Sequence, residues 1–152
     1  MIEAIFVAPK AKAPMVGVDI VQCVMSKGIT GDRNYGKSKW PGQSITFIEA
    51  EEIDRFNTEY SQSVSPGDMR RNIITRDVRL NDLVGKTFSF GDVIFKGTEL
   101  CEPCNQLGEL LKKDNLPKAT VIKSLRHRTG LRADIISNGN ISVGMSFTLD
   151  AG

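Results

Sequence analysis

The sequence predicts a mostly β fold, a β-barrel with a few short peripheral helices, and three observations carry that expectation. Short apolar segments recur along the chain at IEAIFVA, SITFI, FSF, VIF and RADIIS, with the alternation or compactness of strands. Turn chemistry separates several of them, above all Gly91-Asp92 and Asn138-Gly139. Helical spacing is confined to a few short stretches, and the strand–helix–strand rhythm of a parallel sheet is not evident. At 152 residues the chain suits a single domain spanning 1–152, large enough to bury a core without disulfide staples.

Taken in order, IEAIFVA is the first strand, and Pro9 and Pro14 punctuate the stretch after it. Val16, Val18 and Ile20 face one way and Val21, Cys23 and Met25 the other, across a bulge; Cys23 therefore reads as buried strand packing. Gly28 to Ser44 is a loop by composition, with four glycines and a proline, long enough to suggest function. After the SITFI strand, EAEEIDRFNTEY places Ala50, Ile53, Phe56 and Tyr60 on one helical stripe, with acids in the first turn. A loop at SVSPGDMR leads into a strand at RNIITR. Phe88 and Phe90, then Val93 and Phe95, form a hairpin around Gly91-Asp92. The chain's end repeats this layout, with RADIIS, the Asn138-Gly139 turn, and Met145, Phe147 and Leu149 on one face. Between these hairpins lie two helix candidates, one after Cys101 and one begun by Pro117 and carrying Val121, Ile122 and Leu125.

Twenty Lys plus Arg stand against 18 Asp plus Glu, a formal net charge of +2, without the basic excess of a dedicated nucleic-acid binder. Two local clusters stand out: Arg70, Arg71, Arg76 and Arg79, and Lys123, Arg126, Arg128 and Arg132. Most of these side chains read as solvated surface, but two or three could converge on an anion, because guanidinium forks match phosphate geometry. No stretch approaches a membrane helix, and the first residues lack the order of a secretory signal. Three cysteines, an odd number, make no disulfide framework, and a reducing cytoplasm is the expected address.

The segment ELCEPCNQLGELLKK concentrates the chemistry. Cys101 and Cys104 are spaced C-x-x-C, Pro103 can start a helix, and Leu107, Leu110 and Leu111 supply its apolar face. Cys104 is then expected in the first turn, where free backbone N–H groups favour a thiolate, a nucleophile or soft-metal ligand. Glu102 works against that, so basic residues from elsewhere must compensate. Both cysteines could equally be buried hydrophobes. A closed zinc site would need Cys101, Cys104, Cys23 and His127, of which only the first pair has metal-like spacing. A dithiol redox pair fits C-x-P-C before a helix, but the pair comes after a hairpin instead of opening a βαβ unit. His127, the sole histidine, has no partner for a hydrolytic triad, and neither usual nucleotide-binding glycine fingerprint occurs.

Several segments together resemble the MOSC domain, the family named after the C-terminal domain of molybdenum-cofactor sulfurases. They are Gly31-Asp32-Arg33-Asn34, Arg71-Asn72-Ile73, Leu83-x-Gly85 with FSFGDVIFKGTE after it, Cys104 in CEPCNQL, and GLRADIISNGNISVGM. They occur in the family's order from about Gly17 to Leu149. The resemblance implies a β-barrel that binds molybdenum cofactor (molybdopterin) or carries sulfur as a persulfide, with Cys104 as the characteristic cysteine and metal ligand. It implies Arg33, Lys37, Arg71, Asn72, Arg126, His127 and Arg128 as candidates to meet the pterin and its phosphate. Cys101 is an additional thiol of open role, and Asn34 stands where the family often has histidine. Relatives include reductases of N-hydroxylated compounds and sulfur-transfer domains. The implied partners are a sulfur donor protein or an electron-donor protein, with pyridoxal phosphate entering only through a separate sulfurase; no membrane or nucleic acid is expected.

Overall fold

The structure, a computed structural model, describes residues 1–150. Its strands are β1 (Ile2–Val7), β2 (Val16–Val18), β3 (Ile20–Val24), β4 (Gly28–Ile29), β5 (Ile45–Glu49), β6 (Ile73–Thr75), β7 (Thr87–Phe90), β8 (Val93–Leu100), β9 (Leu131–Ile135), β10 (Gly139–Ser142) and β11 (Phe147–Leu149). The helices are α1 (Ala50–Tyr60), α2 (Asn105–Leu111) and α3 (Lys118–Leu125), with 3-10 turns at Pro66–Met69 and Leu80–Leu83. An eight-stranded curled sheet runs β11-β7-β8-β9-β5-β6-β1-β2, and β10-β3-β4 form a second sheet. The two enclose one core, since Val21, Cys23, Ile29 and Ile141 of the small sheet cluster with Phe47, Phe88, Phe90 and Phe95 of the large one. The expected mostly β, barrel-like fold with short helices is what the chain adopts.

β5 explains how helices join this barrel. Ile45, Thr46, Phe47 and Ile48 are all buried, and because successive side chains alternate across a strand, both faces must be covered. Ile45 and Phe47 enter the barrel core. Ile48 joins Ile74 of β6 and the helical residues Ile53, Phe56, Leu107, Leu111, Val121 and Leu125 in a second core. The stripe of Ala50, Ile53 and Phe56 seats α1 there, with Glu51 and Glu52 in its first turn. Gly108 brings α2 against α3: a Cβ there would lie 2.6 Å from Lys118 Cγ and 3.0 Å from Ile122 Cδ1.

Three expectations are corrected. β5 and β6 pair in parallel, Phe47 opposite Ile73, so β5–α1–β6 is the strand–helix–strand unit that the pattern had hidden. β6 is only 3 residues long and wholly buried, leaving no alternation to read. The terminal segments do not form a second hairpin: β9 lies between β8 and β5, β10 pairs with β3, and β11 with β7. Turn residues mark a change of chain direction without selecting the neighbouring strand. Finally, β2 and β3 are not one bulged strand. β2 pairs with β1 while β3 pairs with β10 and β4, so the chain changes sheets at Asp19.

Phe47 of β5 packs into the aromatic core, edge-on to Phe88 at 5.5 Å and Phe95 at 5.4 Å and stacked on Phe90 at 6.0 Å. Phe47→Ala is expected to cost about 3–5 kcal/mol of stability, read as a lowered denaturation midpoint with an unchanged dependence on denaturant.

Candidate functional site

The three cysteines fall into different environments. Cys23 and Cys101 are 0% exposed, whereas Cys104 is exposed. Burial pushes the Cys23 thiol up to about 12. Burial also raises Cys101, against the opposing pull of Arg71 and Arg132. Cys104 is not inside the first turn of α2 but immediately before it, in extended conformation (φ −109°, ψ 173°), and its carbonyl accepts the Gly108 N–H at 3.0 Å. Since α2 has only 7 residues, charge around Cys104 comes mainly from neighbouring side chains.

Cys104 opens onto a cleft of about 740 Å³ whose cations are Lys12, Arg33, Arg70 and Arg71. Met69, Leu107 and Leu110 form its apolar wall. Glu109 is the cleft's one acid, and it is engaged by Lys112 at 2.7 Å and Lys118 at 3.2 Å. The volume lies within the range of about 300–1,000 Å³ typical of small-molecule sites.

Each arginine is held from a different part of the chain. Arg71 lies two residues before β6, and its Nε donates to the Thr129 carbonyl at 2.8 Å. Thr129 Oγ1 donates to the Cys101 carbonyl at 2.6 Å, and the Cys101 N–H donates to the Gly130 carbonyl at 2.8 Å. Arg70 closes the Pro66–Met69 turn in left-handed conformation (φ 59°), and its Nη1 donates to the Ala13 carbonyl at 2.9 Å. Arg33 Nη2 donates to the Arg70 carbonyl at 3.2 Å, and its Nη1 lies 3.3 Å from Asp32. Asp32 in turn accepts the Ala8 and Asn34 N–H groups at 3.1 and 3.2 Å, which fastens the long loop to the end of β1.

Burial lowers the Arg71 guanidinium below its ordinary value, the Cys101 and Cys104 sulfurs opposing and Arg132 adding to the shift. Burial likewise lowers Arg33, with Asp32 opposing and Arg70 and Arg71 adding. Arginine stays protonated throughout the physiological range, so these are cations held together at a cost. An anion entering the cleft relieves both their lost hydration and their mutual repulsion.

The other residues expected to bind a cofactor lie elsewhere. Asn72 is 0% exposed. Its Oδ1 accepts from Thr46 N and Oγ1, both at 3.2 Å, and its Nδ2 donates to the Phe6 carbonyl at 3.1 Å. It clamps the strands that present Arg71 and is not presented to the cleft. Lys37 is exposed in the long loop. Arg126, His127 and Arg128 line a separate cleft of about 630 Å³ with Glu49, Glu51, Glu52, Arg79 and Asn81. There His127 Nδ1 meets Glu102 at 2.8 Å, and the same carboxylate accepts the His127 N–H at 2.7 Å. No group of three or more His, Cys, Asp or Glu residues among those described is placed to hold a metal, which leaves a closed zinc site without donors. Lys12, Arg70 and Thr129 were not singled out for the site; Arg70 carried a signal, its place in the first arginine cluster, whereas Thr129 acts through its backbone and hydroxyl and carried none.

The comparisons with known proteins agree with this architecture. The YuaD protein of Bacillus subtilis superposes with a TM-score of 0.82 at 15% identity, over 96% of this chain and 92% of that one. YiiM of Geobacillus stearothermophilus gives 0.73 at 16% identity, over 99% and 75% of the two chains. YiiM of Escherichia coli gives 0.68 at 16%, over 100% and 71%. At these identities the likeness establishes the fold alone. A search of curated protein sequences finds no match. The MOSC domain model matches residues 32–148, taking in Arg33, Arg70, Arg71 and Cys104, and the chain therefore belongs to the MOSC domain family.

Proposed function

We propose that this chain binds molybdenum cofactor beside Cys104, with the Cys104 sulfur as its ligand to the metal, and works as a reductase of N-hydroxylated compounds. The observation that carries the reading is an exposed thiol opening onto a cleft of about 740 Å³ ringed by Lys12, Arg33, Arg70 and Arg71. The donors suit the group. A single soft sulfur matches a thiophilic metal whose other ligands arrive with the pterin, and the cations match the pterin phosphate. When bound, the cofactor supplies the redox centre. The protein's part is to bind and orient. Cys104 would hold the metal through its sulfur, as a thiolate. Arg71, tethered through Nε to Thr129, keeps its terminal nitrogens as donors for an anion. Lys12 brings a further cation to the cleft, and Leu107 and Leu110 provide an apolar wall against the ring system.

A second reading rests on Cys104 being the one exposed thiol of the three, because a sulfur carrier needs only one. Cys104 then attacks a donor protein's persulfide, takes its outer sulfur, and releases the donor's thiol. Pyridoxal phosphate chemistry stays with that donor. A C-x-x-C dithiol couple is supported least, since Cys101 is 0% exposed and its thiol is raised by burial.

Purified from a host that makes the cofactor, the protein is expected to carry molybdenum, and Cys104→Ala to lower the metal content at least about tenfold. Metal absent from the wild type, or unchanged in the variant, would overturn the cofactor reading. A labile sulfur on Cys104, seen by intact mass and removed by reductant, would select the carrier instead. Iodoacetamide near neutral pH is expected to label Cys104 alone in the folded chain and all three cysteines after denaturation, because a buried, protonated thiol is neither reachable nor nucleophilic. Thr129→Val should cost about 1–3 kcal/mol by leaving the Cys101 carbonyl unpaired, with Thr129→Ser restoring stability and metal loading together.

A further inference from the structure

Trp40 is the only tryptophan of the chain and is 63% exposed. With Met25, Pro41 and Ile136 it lines a cleft of about 380 Å³, away from the thiol cleft. Met25 and Ile136 are themselves 51% and 42% exposed. These side chains come from three segments: the turn after β3, the long loop, and the end of β9. The backbone ties them together. Met25 N donates to Asn138 Oδ1 at 2.7 Å, Ser26 N to the Ile135 carbonyl at 3.4 Å, and Gly42 N to Asp134 Oδ1 at 2.7 Å. The patch is therefore a built concavity and not scattered surface.

Its rim is basic. Lys39 Nζ lies 5.8 Å from the Trp40 ring centroid. Lys27 and Lys37 are exposed in the adjoining turns, which are joined by the Gly36 N–H to the Lys27 carbonyl at 2.8 Å. None of these three lysines takes part in an ion pair among the described residues. The cleft's one acid, Asp134, is engaged by Gly42.

We infer that the Trp40 cleft is a docking surface for an acidic protein partner, one that inserts an apolar side chain beside Trp40 and sets carboxylates against Lys27, Lys37 and Lys39. Exposed tryptophan is the residue type that contributes most on desolvation at interfaces, and unpaired lysines around it select negative charge. A concavity of this size fits a side chain better than it fits the flat face of a bilayer. Asp134 and Arg132 share the outward face of β9, and the Arg132 charge acts on Arg71 and Cys101. A partner seated on Trp40 therefore lies along the strand that leads to the thiol site.

Trp40 emission reads this surface directly. The full chain is titrated with a synthetic peptide carrying leucine and phenylalanine flanked by glutamates, and with its lysine-flanked counterpart. The acidic peptide is expected to shift the emission saturably to the blue, more weakly as salt rises, while the basic peptide leaves it unchanged. The double variant Lys37→Glu with Lys39→Glu, both exposed positions, should bind the acidic peptide at least about tenfold more weakly with an unaltered circular dichroism spectrum. Cys104→Ala should bind it as the wild type does, so that failure of the cofactor reading and of this one remain distinct. Equal response to both peptides, no response, or full binding by the charge-reversed variant would overturn the inference. So would an emission shift produced by protein concentration alone, which points to a second copy, or by phosphatidylserine vesicles alone, which points to a membrane.

Discussion

Thr129 and Gly130, the last two residues of the connection between α3 and β9, hold the site and the barrel to each other. Gly130 has φ +102°, and a Cβ built on it would lie 1.8 Å from the Phe47 carbonyl oxygen. Only glycine lets β9 begin this close beside its sheet neighbour β5. From that point the Gly130 carbonyl accepts the Cys101 N–H at 2.8 Å, the Thr129 hydroxyl donates to the Cys101 carbonyl at 2.6 Å, and the Thr129 carbonyl accepts from Arg71 Nε at 2.8 Å. The segment leading to Cys104 and one guanidinium of its cleft, that of Arg71, are thus positioned by the same two residues. Neither can shift without disturbing backbone packed against the central strand.

The cationic character of the cleft comes from that rigidity. Guanidinium groups left free in solution would keep their hydration and separate. Here Arg71 is drawn toward Thr129, Arg33 toward Asp32 and the Arg70 carbonyl, and Arg70 toward Ala13. Asn72, sealed between Thr46 and Phe6, fixes the strand edge from which Arg71 extends. The positive field is established in advance by folding, so that an anion entering the cleft would meet it without reorganisation of the protein. The Trp40 cleft is built in the same way, with loop segments pinned to β9 so that apolar side chains stay in water.

Local patterns served well wherever neighbours in space were neighbours in sequence. The Ala50, Ile53 and Phe56 stripe forms α1, and Phe88 pairs with Phe95 across the Gly91-Asp92 turn. Such contacts depend on periodicity and turn geometry, both written within a dozen residues. The parallel pairing of β5 with β6 left no comparable trace, because both strands are buried on two faces and alternation vanishes. The fate of β9, β10 and β11 was equally hidden, since each finds its partner far along the chain. For the site, Cys104, Arg33 and Arg71 were named from motif and chemistry. Arg126, His127 and Arg128 were named with them and line a different cleft; which cleft a residue lines is set by the packing of distant segments.

By itself the sequence determined which chemical groups exist, the one segment where a reactive thiol was worth seeking, and a barrel of short strands with a few short helices. These are properties of residue type and short-range period. Tertiary structure alone decided that, of two cysteines three positions apart, Cys101 is sealed and Cys104 is open. It also decided that Arg33 reaches the backbone of Arg70, 37 residues away. Exposure and electric field at an atom are set by whatever the whole chain packs around it, and no local pattern carries that sum.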